Sequence, residues 1–224
     1  MTFSLAGRCD RSGMVGGIVC SSSIAVAARC LWGSPVGIVF SQNVTDPHLG
    51  ILGLQLLAEG CGARSALERM VAAKANAEWR QLAVLDVNGQ SEVYTGSRGL
   101  GLTSMTQGRD CVAAGNLLAD EYVPRSMVRA FEATAAQPLA QRLLLALEAA
   151  AAAGGEAGPV HSAGVQVYHG PLEWPIVDLR IDWSDEPVAE LRALWERYAP
   201  QMSDYVLRAK QPERAPSYGV PGDL

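Results

Sequence analysis

Lysine is scarce, present only at Lys74 and Lys210, and the 224 residues carry a formal charge of -5 with both signs interspersed and no basic cluster. That excludes the electrostatic footprint by which nucleic acid or an anionic membrane surface is bound, and leaves small molecules or peptides as the expected ligands. No window approaches eighteen uninterrupted apolar residues, so no membrane span is expected. Arg8, Asp10 and Arg11 cut the first apolar stretch short, which speaks against a secretory signal. The five cysteines (Cys9, Cys20, Cys30, Cys61, Cys111) show no CxxC spacing, and an odd count in a chain this long argues against a disulfide framework. A reducing, cytoplasmic setting follows. His48, His161 and His169 have neither HExxH nor HxH spacing, so no metal is expected. "GSRGLGLTS" (96–104) lacks both the GxGxxG order and a GKS or GKT ending, reads as a flexible surface loop, and leaves no cofactor expected.

What is present is an apolar content of 49%, enough for a substantial core. "TFSLAGR" and "MVGGIVCS" flank the turn-forming "CDRSG" and read as a hairpin beginning at residue 2. "VGIVFSQ" (36–42) is a third strand, followed by a helix from Pro47 to Gly60 and a second near 64–75. "WRQLAVLDVNGQSEVYTG" alternates apolar and polar residues on both sides of Asn88-Gly89, a pair that favours a type I′ turn. A strand at 110–116, helices at about 121–134 and 138–153, strands in "HSAGVQVYH" and "WPIVDLRID", and a helix from Pro187 complete the order. Helices arriving in pairs between antiparallel hairpins do not suit alternating β-α-β winding; they suit an α+β fold with two stacked sheets and a helical layer on each outer face, a four-layer αββα sandwich. The domain is expected over residues 1–199. From residue 200 a proline-bearing tail, disordered or draped over a second subunit, points to a homo-oligomer.

"MTFS", "SSSIAVAARC", "SQNVTDPHLGILGLQLLAEG", "WRQLAVLDVNG" with Thr95-Gly96, "AAGN" and "DLRIDWSDEPVAELRAL" occur in an order that resembles the DUF1028 family of bacterial proteins, over roughly residues 2–195. The resemblance implies an Ntn-hydrolase-like fold and brings no assigned activity with it. In such a fold the residue exposed by removal of Met1 becomes a candidate nucleophile. Thr2 has a hydroxyl to attack with, and its freed α-amine, of pKa about 8, suits the role of base. The plain alternative is that Thr2 merely begins an edge strand, as threonine often does.

Asn116, after Gly115 at a strand end, is a candidate oxyanion donor; otherwise "GN" is a turn. Ser21 and Ser23 share one face of their strand, with Ser22 on the other, and can relay protons or bind substrate. Gln42, Asn43, Thr45, Asp46 and His48 crowd a strand-to-helix junction, where Asp46 suits an N-cap and Gln42, Asn43 and His48 suit substrate binding. Arg29 and Arg80 are candidates to pair with a substrate carboxylate, as is Arg8. The lysine that proteasome-like relatives place beside the nucleophile has no counterpart on the early strands. A small amide, imide or lactam is therefore a better substrate than a peptide, and the reading is an amidohydrolase cleaving a C–N bond. The alternatives are a ligand-binding or assembly protein without turnover, and an enamine deaminase using the same cleft.

Overall fold

A computed structural model describes residues 2–220. The chain forms β1 (Thr2–Arg8), β2 (Val15–Ser21), α1 (Val26–Cys30), β3 (Leu31–Ser34), β4 (Gly37–Asn43), α2 (Pro47–Ala58), α3 (Ala63–Ala72), β5 (Arg80–Asp86), β6 (Ser91–Thr95), β7 (Ser104–Gly108) and β8 (Cys111–Asn116). There follow α4 (Val123–Ala133), α5 (Leu139–Ala152), β9 (Ser162–Tyr168), β10 (Val177–Ile181), α6 (Pro187–Tyr198) and α7 (Met202–Lys210). Six strands make one sheet in the order β10-β9-β2-β1-β8-β7, and four make the other in the order β3-β4-β5-β6. Neighbouring strands in both sheets pair antiparallel.

Three apolar layers hold these sheets and helices together, and the alternation along each strand decides which layer a residue joins. On β1, Phe3 and Leu5 point outward to Met127, Phe131 and Leu143 of α4 and α5. Ala6, in the opposite phase, meets Ile38, Phe40, Ala83 and Leu85 between the sheets. Val39, Leu82 and Val84 face Leu49, Leu56 and Met70 of α2 and α3. The order is helix, sheet, sheet, helix, as the periodicity predicts. Each fully buried Phe or Leu in these layers contributes roughly 2–3 kcal/mol. Gly7 lets α4 lie close, since a Cβ there would sit 2.4 Å from the Phe131 ring.

Several local expectations change. The hairpin at Asn88-Gly89 exists, but only Gly89 has positive φ, at 84°. Its turn is not type I′, because the buried Asp86 carboxylate accepts from the N–H groups of Asn88 and Gln90 and fixes a wider loop. The segment after Leu100 is tied down rather than loose: Leu100 N–H donates to Asn43 Oδ1, and Leu117 and Leu118 N–H groups donate to the carbonyls of Leu100 and Leu102. Past residue 200 the chain continues as α7, whose Tyr205 ring stacks on Tyr198 and whose Met202 and Val206 pack on the large core. Residues 221–224 of the expected tail lie outside the described residues. Among the described residues, no helix is long and apolar enough to cross a membrane.

Candidate functional site

Thr2 opens β1, and both strands beside it contribute polar residues at its level. Its register partner on β8 is Asn116. On β2 the register pairs Phe3 with Cys20, so one step further places Thr2 alongside Ser21, and Ser21 in turn pairs with Ser162 of β9. Residues directly opposite in an antiparallel sheet share a face and stand about 5 Å apart. Ser162, Ser21, Thr2 and Asn116 thus form one row across four strands, all of them buried.

This row faces the second sheet, which answers with amides. Ser4 Oγ donates to Gln42 Oε1 at 2.8 Å, and Gln42 Nε2 donates to Gln81 Oε1 at 2.8 Å. Gln81 Nε2 donates to the Gly115 carbonyl and to Thr95 Oγ1, and Asn116 Nδ2 donates to Gln81 Oε1 at 3.0 Å. The carbonyl of Gly115 can only accept, which fixes the Gln81 amide and hence the orientation of its neighbours. Asn116 must turn its nitrogen to Gln81, and its Oδ1 is left buried without a partner among the described residues. Orphaned buried acceptors are rare in folded proteins, so this one marks a place for a donor.

A second such acceptor lies at the same strand end. Gly154 and Gly155, with φ of 105° and 58°, end α5 in conformations that glycine adopts freely, and they turn the chain so that Glu156 bridges to Leu118. Glu156 is buried, and its Oε1 accepts from the Ser22 N–H at 3.0 Å while Oε2 has no partner among the described residues. Burial pushes its pKa above the ordinary carboxylate value, a shift only partly offset by hydrogen bonds from Ser22 and Ser21. Three non-glycine residues with positive φ, Ala25, Asn43 and Leu117, follow the strands or turns around this end. Each such conformation costs about 1 kcal/mol or more, and this kind of strain gathers at functional sites.

The other candidates divide. Ser21 Oγ and Ser23 Oγ are 2.8 Å apart, and Arg29 donates to Ser23 Oγ and to the Ile24 carbonyl, so Arg29 braces the loop after β2. Asn43 staples two loops, donating to the Trp79 carbonyl and accepting from Leu100 N–H. Gln42 is the member of its group that enters the buried cluster. Arg80 is the register partner of Asn43 and lies in the opposite phase to Gln81, which turns it to the α2–α3 face, where it donates to the Val44 carbonyl. His48 stands on the first turn of α2 with its side chain 84% exposed, away from the cluster. Asp46 does cap α2, accepting from the His48 N–H. Burial raises its pKa, but the Lys74 ammonium at 3.1 Å and the His48 N–H outweigh that and hold the carboxyl below its ordinary range. Among the described residues no group of three or more His, Cys, Asp or Glu could hold a metal ion.

Gln81, Ser4, Ser162 and Glu156 were not among the residues singled out from sequence. Gln81 had a signal: it shares the inward phase of Ala83 and Leu85 on a strand buried on both faces. Glu156 had none, since "GGEAGP" reads simply as a helix stop.

The chain belongs to the DUF1028 family, a family of unknown function whose model matches residues 2–191. It is similar to protein SPO2555 from Silicibacter pomeroyi, a crystal structure in the same family, with 30% identity and a TM-score of 0.84 over 91% of this chain and 89% of that one. Anbu, an ancestral beta-subunit from Yersinia bercovieri, aligns at 12% identity with a TM-score of 0.41 over 91% of this chain and 97% of that one. No curated protein matches the sequence significantly.

Proposed function

We propose that this DUF1028-family protein is an N-terminal-nucleophile amidohydrolase acting on a small amide, imide or lactam. The observation that carries the reading is the row of Ser21, Thr2 and Asn116, buried in register on the inter-sheet face with Asn116 Oδ1 lacking a donor among the described residues. Removal of Met1 turns the peptide nitrogen of Thr2 into an α-amine at that spot and supplies hydrogen-bond donors where an acceptor waits. The amine takes the Thr2 Oγ proton as the oxygen attacks the substrate carbonyl, and the tetrahedral intermediate forms. The same proton passes to the departing nitrogen as the C–N bond breaks, leaving an ester on Thr2, and water then hydrolyses that ester.

Asn116 has one amide hydrogen on Gln81 and a second to offer, so the side chain can hold the amine through Oδ1 and meet the oxyanion through Nδ2. The Gln42–Gln81 pair keeps it from flipping. The absence of a lysine from the cluster supports a small substrate over a peptide.

Intact-mass measurement and a Thr2→Ala variant test the reading. Expected are a protein lacking one methionine and, on a panel of amino-acid 4-nitroanilides, succinimides and small lactams, turnover that Thr2→Ala reduces at least a thousandfold, the scale of losing a triad nucleophile or more. Retention of Met1, or turnover unchanged in Thr2→Ala, refutes it and leaves a ligand-binding or assembly protein, or an enamine deaminase, as the reading of the same fold.

A further inference from the structure

We propose that Glu156 is the proton acceptor for the Thr2 amine, so that the two share a proton as one buried acid–base pair; the inference rests on the N-terminal-nucleophile reading. The placement follows from the strands. Glu156 Oε1 holds the Ser22 N–H at 3.0 Å, which fixes the carboxylate at the peptide joining Ser21 to Ser22. The register brings that peptide level with the nitrogen of Thr2 on the adjacent strand, and neighbouring strands lie about 4.8 Å apart. A carboxylate that takes the Ser22 N–H therefore lies at the level of the Thr2 nitrogen, on the strand next to it. Its Oε2 is the oxygen without a partner among the described residues, in a residue 5% exposed. Gly155 fixes the approach from the other side: a Cβ there would lie 3.3 Å from the ring of Phe3, the residue after Thr2.

The chemistry of such a pair answers a difficulty in using an α-amine as a base. At neutral pH a free amine of pKa about 8 is mostly ammonium and has no lone pair to give. In the free protein the ammonium and the carboxylate hold each other by opposite charge. A substrate that closes the site takes away their remaining water; two opposite charges held out of water are costly, and transfer of one proton then removes both, the ammonium becoming an amine and the carboxylate a carboxylic acid. No other reactant is needed. The lone pair is then free to take the Thr2 Oγ proton, and Glu156 holds the first proton until the amine is protonated again and passes its proton to the leaving nitrogen. Of the titratable or charged groups on the surrounding elements, Cys20 is buried and kept in its thiol form, partly by Glu156 itself. Arg29 is engaged with Ser23 and Ile24, His161 with the Ser184 carbonyl, and Asp120 accepts from the Tyr122 N–H. None of these bonds is made to Glu156.

The test reads the amine directly. Competitive acetylation with acetic anhydride across pH, followed by mass spectrometry of the N-terminal peptide, measures the apparent pKa of the α-amine. Intact mass is taken first: retained Met1 overturns the nucleophile reading and this proposal with it. With Met1 absent, Glu156→Gln keeps the oxygen that accepts from Ser22 and loses the charge. The amine titration is then expected to move to lower pH by at least one unit, a tenfold change in proton affinity, because the buried ammonium has lost its counter-charge. Glu156→Asp, which keeps the charge, stays nearer the wild type. An amine titration unmoved in Glu156→Gln overturns the role of Glu156 and leaves the nucleophile reading standing. If Glu156→Gln does not fold, the wild type decides: an amine that titrates identically in the folded and the urea-unfolded protein overturns the pair.

Discussion

Replacing Gln81 with methionine would remove the centre of the amide cluster while keeping its volume. Gln81 is fully buried, donates to the Gly115 carbonyl and the Thr95 hydroxyl, and accepts from Gln42 and Asn116. Methionine strands three of those partners: the Gly115 carbonyl, one N–H of Gln42 and one N–H of Asn116. The fourth, the Thr95 hydroxyl, is half-buried and can turn. Each buried polar group left alone costs about 1–3 kcal/mol, and partial relaxation brings the three to about 3–5 kcal/mol. That is a large share of the roughly 5–15 kcal/mol that holds a domain folded. Urea unfolding followed by tryptophan fluorescence measures it, since Trp195 is buried and is exposed on unfolding. Ser4→Ala removes a single donor to Gln42 and should cost about 1 kcal/mol. Because both changes act on Gln42, the double variant should depart from the sum by about 0.5 kcal/mol or more. A loss below about 1 kcal/mol for Gln81→Met would refute the claim that these amides are mutually locked.

Asp46 should make stability depend on acid. Its folded-state pKa is lowered, so its contribution is present above the ordinary carboxylate pKa and lost as pH falls through the folded value. Asp46→Asn keeps the cap and loses the Lys74 pair; the gap from wild type, about 1 kcal/mol or less at pH 7, should close in melts run below about pH 4. Gly50→Ala should destabilise despite the better helix propensity of alanine, because a Cβ at residue 50 would lie 2.1 Å from the Trp32 ring. A net loss of about 1–2 kcal/mol, or a melting temperature lower by roughly 2–8 °C, is expected by calorimetry.

Element by element, the legible parts of this chain are those with strong local signals. The β1–β2 hairpin, the Asp46-capped α2 and the Leu-rich α5 lie where their periodicity and caps place them, within a few residues. β7 escaped notice because its residues, Ser104 to Gly108, alternate only between half-buried and exposed at a sheet edge and carry no apolar run. The short α1 and β3 were hidden within "VAARCLWGS", too brief for a helical period to register. α7 carries no apolar stripe strong enough to set it apart from a tail, in keeping with its having no fully buried residue.

For the site, the sequence alone determined which side chains carry usable chemistry: a threonine that Met1 removal would expose, serines ending a strand, and an asparagine after "AAG". Those are properties of single residues and their nearest neighbours along the chain. Only the tertiary structure decided which of them meet. Strand register set Thr2 beside Asn116, which is 114 positions away in sequence, and the packing of two sheets brought Gln42 and Gln81 over them. The same packing left Asn116 Oδ1 and Glu156 Oε2 unpaired among the described residues and turned Arg80 to the opposite face. A hydrogen bond spans about 3 Å in space whatever the separation along the chain, so its existence is a fact about the fold that no local pattern records.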